Sequence, residues 1–425
     1  MSQPSRPSSY QRSILRFVWL ASFISLGGMT LYTPGRGWDV GTYYRAMQTL
    51  RAGLDPYAVG LARQYAAQAA GQHAFAYVYP PLTLLALRAF NLLPLSMAAV
   101  LYWTIYSAGF VGQVWAGTQC FRPQDRAVMQ YAVPLAIFFP GLMTGDVILS
   151  GNVACIFYGS IFTAAVLGWK RGIWRWFYLA VLLAGCFKLP LLTLLAIPLL
   201  SGERQWLKAS GVAAAGLSLL ALQSWLWPAQ FREYLTSVGL QFQFNSDFGL
   251  SPAGVLGRVL YRHRLPYSTP TTVAFLIYGG ALFAVLFYFS NLYRERRISA
   301  ESWIPVLLVG TILLNPRIMQ YDVQPIALPM ALIVVRSVVS RSKAGMTLAV
   351  FVLFLIVIDL IGVSPTSLDD LRNMVVLVAV MALGLRYLAV EARRTCPGSL
   401  FISKLPAPSE AAAAGMDAYN PESRS

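Results

Sequence analysis

The sequence predicts an all-α polytopic membrane protein, and three observations carry that expectation. Of 425 residues, 57% are hydrophobic and only 12% are charged, and the mean hydropathy of +0.56 exceeds what a water-soluble domain can bury. The apolar residues fall into about a dozen runs, many close to the roughly 20 residues a helix needs to cross a bilayer. The basic residues, which give a formal charge of +16, gather in every second connection between those runs, as the positive-inside bias demands of cytoplasmic loops. That placement accounts for the charge with no nucleic-acid partner.

The candidate spans are, in order, 14–33, 97–119, 130–146, 152–168, 174–187, 188–200, 208–227, 271–292, 303–314, 323–338, 346–362 and 371–390. Residues 14–33 read as a retained anchor, since no small-residue cleavage site follows. A cytoplasmic N-terminus puts Arg6, Arg12 and Arg16 inside. Arg122 and Arg126, Lys170, Arg171 and Arg175, Arg204 and Lys208, Arg294, Arg296 and Arg297, Arg341 and Lys343, and Arg393 and Arg394 then all fall inside too. This topology requires 80–94 to lie flat on the outer surface, because counting it as a span would invert every later loop; Arg88 and the prolines at both ends suit that position. Residues 1–395 form one integral-membrane domain with two long outer loops, 34–96 and 228–270, and short outer turns at 145–151, 315–322 and 363–370. Residues 396–425, rich in Ala, Ser and Pro, read as a disordered cytoplasmic tail.

In the first outer loop Val40, Tyr43, Tyr44, Met47, Leu50 and Leu54 recur at helical spacing with Arg45, Gln48 and Arg51 on other faces, which predicts an amphipathic surface helix over 41–52. "GLDPY" ends it. The second loop turns from Phe/Gln alternation to a basic amphipathic stretch in which Arg258, Arg262 and Arg264 would face lipid phosphates. Cys120, Cys155, Cys186 and Cys396 are isolated and suggest neither a disulfide framework nor a metal motif. His73 and His263 lack ligand-like spacing, so no cofactor is expected, although an acidic pair such as Asp39 and Asp146 could still hold a divalent ion across loops. No nucleotide fingerprint or Ser/His/Asp arrangement is present.

The chemistry-bearing residues cluster at the outer ends of the spans. Asp39 is placed to act as a general base, with Arg36 and Arg45 nearby; it equally suits the N-cap of the surface helix. Asp55 in "LDPY" reads chiefly as a turn residue. Lys188 interrupts an apolar run, where it would either hold an anionic lipid phosphate or snorkel to the interface. "NPRIMQYD" sets Asn315, Arg317, Tyr321 and Asp322 in one short turn, Arg317 suiting a phosphate or an ion pair with Asp322. "TGDVILSGN" offers Asp146 and Asn152, for which a capped turn is at least as good a reading. Tyr43, Tyr44, Tyr57, Tyr77 and Tyr79 fit headgroup depth as anchors or as platforms for sugar rings.

Three segments together, "DVGTYYRAMQTLRAGLDPY", "YVYPPLTLLALRAFNLLP" and "KLPLLTLLAIPLLSGERQW", resemble glycosyltransferase family 87, in which an Asp, a paired Tyr, a "G-x-DPY" turn and a "YPPL" segment recur in that order. The resemblance covers residues 14 to about 335 and implies a GT-C-type fold of about 12 transmembrane helices with amphipathic juxtamembrane helices in the first outer loop. It implies an inverting transferase of the inner, or plasma, membrane with its active site on the outer face. The donor would be a polyprenyl-phosphate-linked sugar, mannose or another hexose or pentose, and the acceptor a lipid or glycan. By position it makes Asp39 the base, with Lys188, Arg317, Tyr321, Asp322, Tyr43, Tyr44 and Tyr79 as donor-site candidates and Asp55, Asp146, Asn152 and Asn315 in support. "GDVILSGN" and "NPRIMQYD" depart from the family pattern, the second standing where many relatives carry a histidine. The rival expectation is a transporter or flippase of a lipid-linked saccharide.

Overall fold

The computed structural model describes residues 37–70, 74–121, 150–245, 248–339 and 367–395, with a few isolated positions besides. Most of the expected spans 14–33 and 130–146, and all of 346–362, together with Asp146 and the tail 396–425, lie outside the described residues. Among the described residues every regular element is a helix.

The segment expected to form the first outer loop folds into three helices, α1 (Trp38–Arg51), α2 (Pro56–Ala69) and α3 (Thr83–Phe90). α1 buries Thr42, Tyr43, Ala46 and Met47; of the expected apolar face Tyr43 and Met47 are buried, whereas Tyr44 and Leu54 are exposed. The chain does not stay open after "GLDPY". Asp55 caps α2, its Oδ1 accepting from the Tyr57 N–H at 2.8 Å, and Pro56 takes the first helical position, where its missing N–H costs nothing. The proline that ends one helix therefore starts the next. Within the segment 80–94 expected to lie flat, the helix is the eight-residue α3.

α4 (Leu95–Thr118), α5 (Ala154–Arg171) and α6 (Arg175–Phe187) follow, then a 3-10 stretch, Leu189–Leu195, and α7 (Ala196–Leu200). The expected span 188–200 is thus not one helix: Pro190 and Pro198 lack the donors a continuous α-helix needs. α8 (Trp206–Leu226) leads to α9 (Pro228–Asn245) and α10 (Pro252–Arg262), so the second outer loop is largely helical, and α9 packs against α2 and α8. α11 (Ser268–Arg294), α12 (Ala300–Leu313), the short α13 (Gln320–Val323), α14 (Ala327–Val339) and α15 (Ser367–Thr395) complete the order. Among the described residues four helices are long and apolar enough to cross a membrane, α4, α8, α11 and the 371–395 part of α15; α6, 189–200 and α12 are apolar but shorter.

Two cores hold the molecule. The larger gathers residues of α5, α6, α12, α14 and α15 around the buried Trp303, whose indole N–H donates to the Leu200 carbonyl at 2.9 Å. The smaller joins Tyr43, Ala46, Tyr57, Tyr77, Tyr79 and Leu84 beside the outer helices. α4 and α5 form the closest helix pair. A Cβ at Gly159 would lie 2.2 Å from the Gly109 carbonyl oxygen, so only glycine permits this backbone approach. The crossing places the N-terminal end of α5, and the turn before it, beside α1 and α4.

Candidate active site

Gly37, not Asp39, occupies the N-cap of α1, at φ 73° and with no side-chain cap hydrogen bond. Asp39 instead lies in the first turn of α1. Its Oδ2 accepts from Asn152 Nδ2 at 3.1 Å. Asn152 is buried in the turn before α5, and its Oδ1 accepts from the Ala154 N–H at 3.0 Å and from Lys188 Nζ at 3.0 Å. Lys188 stands at the C-cap of α6, where the helix breaks into the 3-10 stretch, and its ammonium sits 3.7 Å from the centre of the Tyr321 ring. A cation against a ring face is stabilised where water is scarce. A carboxylate, an amide, a cation and a ring thus form one continuous cluster at helix ends.

The "NPRIMQYD" turn is built around its own polar groups. Asn315 Oδ1 accepts from the Arg317 N–H at 3.0 Å. Asp322 accepts from Tyr158 on α5 at 2.9 Å and from the Met319 N–H at 2.8 Å. Burial pushes the Asp322 carboxyl above its usual pKa, while the charges of Lys188 and, more weakly, Arg317 pull it back. Its two oxygens hold the turn shut and seat Tyr321 beneath Lys188. Arg317 is half-buried beside this turn.

The tyrosines form a scaffold behind the cluster. Tyr43 and Tyr79 share a 2.6 Å hydroxyl contact, and the Val153 N–H donates to the Tyr43 hydroxyl at 3.2 Å. Tyr57 donates to the Tyr79 carbonyl at 2.5 Å, and Tyr77 shares a 2.6 Å contact with Thr83. Burial holds Tyr43 and Tyr79 well above the usual phenol pKa, and the charge of Asp39 pushes both further the same way. They stay neutral donors at physiological pH. Tyr102 on α4 donates to the Gly151 carbonyl at 2.5 Å, a contact that sequence reasoning missed. Its only signal was that Tyr102 and Tyr106 lie one turn apart on one helix face.

Gly151 carries the closest constraint in the site. It has φ 68°, and an added Cβ would lie 2.2 Å from Val40 Cγ2, next to Asp39. Gly151→Ala therefore combines a left-handed backbone with a clash that pushes α1 away from Asn152. We expect it to lower the stability of the purified protein by about 1–3 kcal/mol, read as its thermal midpoint, and to cut activity by about 100-fold through displacement of Asp39.

Asp55 behaves differently from Asp39. It caps α2 and lies close to Glu233 of α9, whose carboxyl is raised by burial and then by Asp55. Asp55→Asn keeps the capping oxygen and is expected to leave activity within about twofold of wild type, whereas Asp55→Ala should cost about 1 kcal/mol of stability. Equal losses from Asp55→Asn and from Asp39→Asn would contradict that division of roles.

An apolar groove of about 190 Å³ opens beside the cluster. Its walls include Met47 of α1, Leu87 and Phe90 of α3, and Ile105 of α4, with the half-exposed Tyr44 on its rim. Val40, Val153 and Phe187 also line it, and these are the chain neighbours of Asp39, Asn152 and Lys188. Tyr43 and Tyr79 of the scaffold line it as well. Among the described residues no three of His, Cys, Asp and Glu are grouped so as to hold a metal ion; Asp146, the partner considered for Asp39, lies outside them.

Of the residues singled out from sequence, the structure brings together Asp39, Asn152, Lys188, Tyr321, Asp322, Tyr43 and Tyr79, sets Asn315 and Arg317 in the adjoining turn, and leaves Asp55 apart as a cap. No curated protein and no solved structure matches the chain. The family described as glycosyltransferase family 87 matches residues 77–316, a stretch that includes Tyr79, Asn152, Lys188 and Asn315. The match covers more than half of the sequence, and the chain belongs to glycosyltransferase family 87.

Proposed function

We propose that this glycosyltransferase moves a sugar from a polyprenyl-phosphate donor to a hydroxyl of a lipid or glycan acceptor, with inversion, at the outer face of the inner or plasma membrane. The observation that carries the reading is that one amide, Asn152, bonds both the Asp39 carboxylate and the Lys188 ammonium. Glycosyl transfer from a phosphate needs these two charges. Asp39 takes the proton of the acceptor hydroxyl as that oxygen attacks the anomeric carbon. The bond from that carbon to the phosphate oxygen breaks, its electron pair leaves with the oxygen, and the phosphate gains negative charge. Lys188, with Arg317 from the adjoining turn, stabilises that charge as it develops. A single displacement inverts the anomeric centre.

The groove supports the lipid part of the reading. A polyprenyl chain is apolar and its phosphate is not, so a donor of this class requires an apolar channel ending at a cation. The groove is lined by Phe187, the residue before Lys188. The polar groups stand at helix ends: Asp39 in the first turn of α1, Asn152 before α5, Lys188 after α6 and Tyr321 on α13. A carrier would be expected to hold such groups near mid-span.

The test is to reconstitute the full chain in liposomes and supply radiolabelled polyprenyl-phosphate hexoses and pentoses with envelope lipids as acceptors. We expect transfer from at least one donor, with an inverted anomeric centre by proton NMR. Consumption of no donor across the panel, or retention of configuration, would overturn the proposal.

A further inference from the structure

The surroundings of Asn152 permit one orientation of its amide. Its oxygen faces two donors, the Ala154 N–H and the Lys188 ammonium, each at 3.0 Å, and its nitrogen faces a carboxylate oxygen at 3.1 Å. Turned over, the amide would set its NH2 group against both donors and its oxygen against Asp39, so all three contacts would become repulsive. The residue is 3% exposed, and its own N–H donates to Ser150 Oγ at 3.2 Å. Its turn is clamped from two helices, by Tyr43 of α1 on the Val153 N–H and by Tyr102 of α4 on the Gly151 carbonyl. A buried amide with one allowed orientation therefore joins a carboxylate and a cation from distant parts of the chain.

We infer that Asn152 is a positioning residue for transfer: its N–H fixes the direction in which Asp39 presents its carboxylate to the acceptor hydroxyl, and its oxygen holds Lys188 at a set separation from that base. The inference rests on the roles proposed above for Asp39 and Lys188. A carboxylate rotates readily about its Cβ–Cγ bond, and a proton transfer needs its oxygen within hydrogen-bond reach of the attacking hydroxyl. The Asn152 donor on Oδ2 restrains that rotation. Among the described residues the titratable groups around the pair include Tyr43, Tyr79, Tyr102 and Tyr106, which feel the charge of Asp39, Tyr321 beneath Lys188, and Asp322, which feels Lys188 and Arg317. None of them is itself replaced by a substitution at position 152.

Asn152→Asp isolates the bond in question. The variant keeps an oxygen for the Ala154 N–H and for Lys188, so the turn and the cation retain their partner; it removes the donor to Asp39 and adds a carboxyl that can give it back only when protonated. With both carboxylates ionised the contact becomes a repulsion between like charges; with one proton shared between them the donor is restored. In liposomes, with a radiolabelled polyprenyl-phosphate sugar that the wild type turns over, we expect kcat at pH 8 to fall about 50-fold relative to wild type. Relative to wild type at the same pH, it should recover to within about fivefold as the pH is lowered toward about 5.5. The KM for the donor should stay within about threefold throughout. Asn152→Leu, which has no proton to share, should be reduced by a similar factor at every pH.

A pH profile of Asn152→Asp parallel to that of the wild type would overturn the inference. That holds whether the variant is fully active or uniformly weakened, because a merely structural role would not reverse on protonation. Asp39→Asn assayed in parallel separates the two levels. If that variant turns over normally, the base assignment fails; if it is inactive while Asn152→Asp runs parallel to wild type, only the positioning role fails.

Discussion

Asp39→Asn is expected to lower kcat by about 10³-fold while leaving the protein folded and the donor bound, the scale at which loss of a general base is felt. The substitution is close to isosteric. Its amide oxygen can still accept from Asn152 Nδ2, which now lies 3.1 Å from Asp39 Oδ2, so the link between α1 and the turn before α5 persists. What disappears is the capacity to take a proton. Because Gly37 caps α1, no cap is lost, and the thermal midpoint should shift by less than the change expected for a cap removal of about 1 kcal/mol. Single-turnover transfer with donor in excess reads the chemical step, and protection of the protein by polyprenyl phosphate against heat reads binding. Transfer within tenfold of wild type by a folded variant would remove Asp39 from the mechanism.

Lys188→Met is expected to reduce kcat/KM by about 10²- to 10³-fold, because the cation acts on a phosphate that is charged in the ground state and gains charge in the transition state. Methionine keeps an apolar stem of similar length beside Phe187 and the groove, so the loss isolates the charge. Both kcat and KM should worsen, in contrast to Asp39→Asn, where the effect falls on kcat alone. Lys188→Arg should restore part of the activity, limited by the different shape of the guanidinium and by the contacts the ammonium makes with Asn152 Oδ1 and the Tyr321 ring. A lysine that merely snorkels to the interface would be replaced by methionine with little change in turnover, and that outcome would reassign phosphate stabilisation to the Arg317 turn.

The outer helices show how far local pattern reaches. The spacing of Val40, Tyr43, Met47 and Leu50 located α1 to within three residues at its start and one at its end, because an amphipathic face is written at intervals of three and four. The same reasoning stopped at Pro56 and missed α2, since a proline that ends one helix and one that starts another look alike until the Asp55 cap is seen in place. In the expected second outer loop the change from Phe/Gln alternation to a basic stretch was legible, but the eighteen-residue α9 was not. Its polar and apolar residues form no single stripe, and its packing against α2 and α8 stabilises it. Asp39 was ambiguous for a related reason. An aspartate at the start of a helix is a cap by default, and only the fold shows Gly37 at the cap position and Asn152 within hydrogen-bond reach of the carboxylate.

By itself the sequence determined what short-range physics encodes: a helical membrane chain from the length and apolarity of its runs, an amphipathic first outer helix from its period, a polar set of residues at span ends, and a family from the order of its motifs. Which members of that polar set meet was decided by the tertiary structure alone. The glycine-mediated approach of α4 and α5 carries the Asn152 turn to α1, Tyr43 and Tyr102 clamp it there, and the break after α6 delivers Lys188 to the other end of the same amide. These contacts join residues far apart in the chain, and nothing in a local window records them. They follow from how whole helices pack, where a single Cβ at Gly159 or Gly151 would be enough to keep the charges apart.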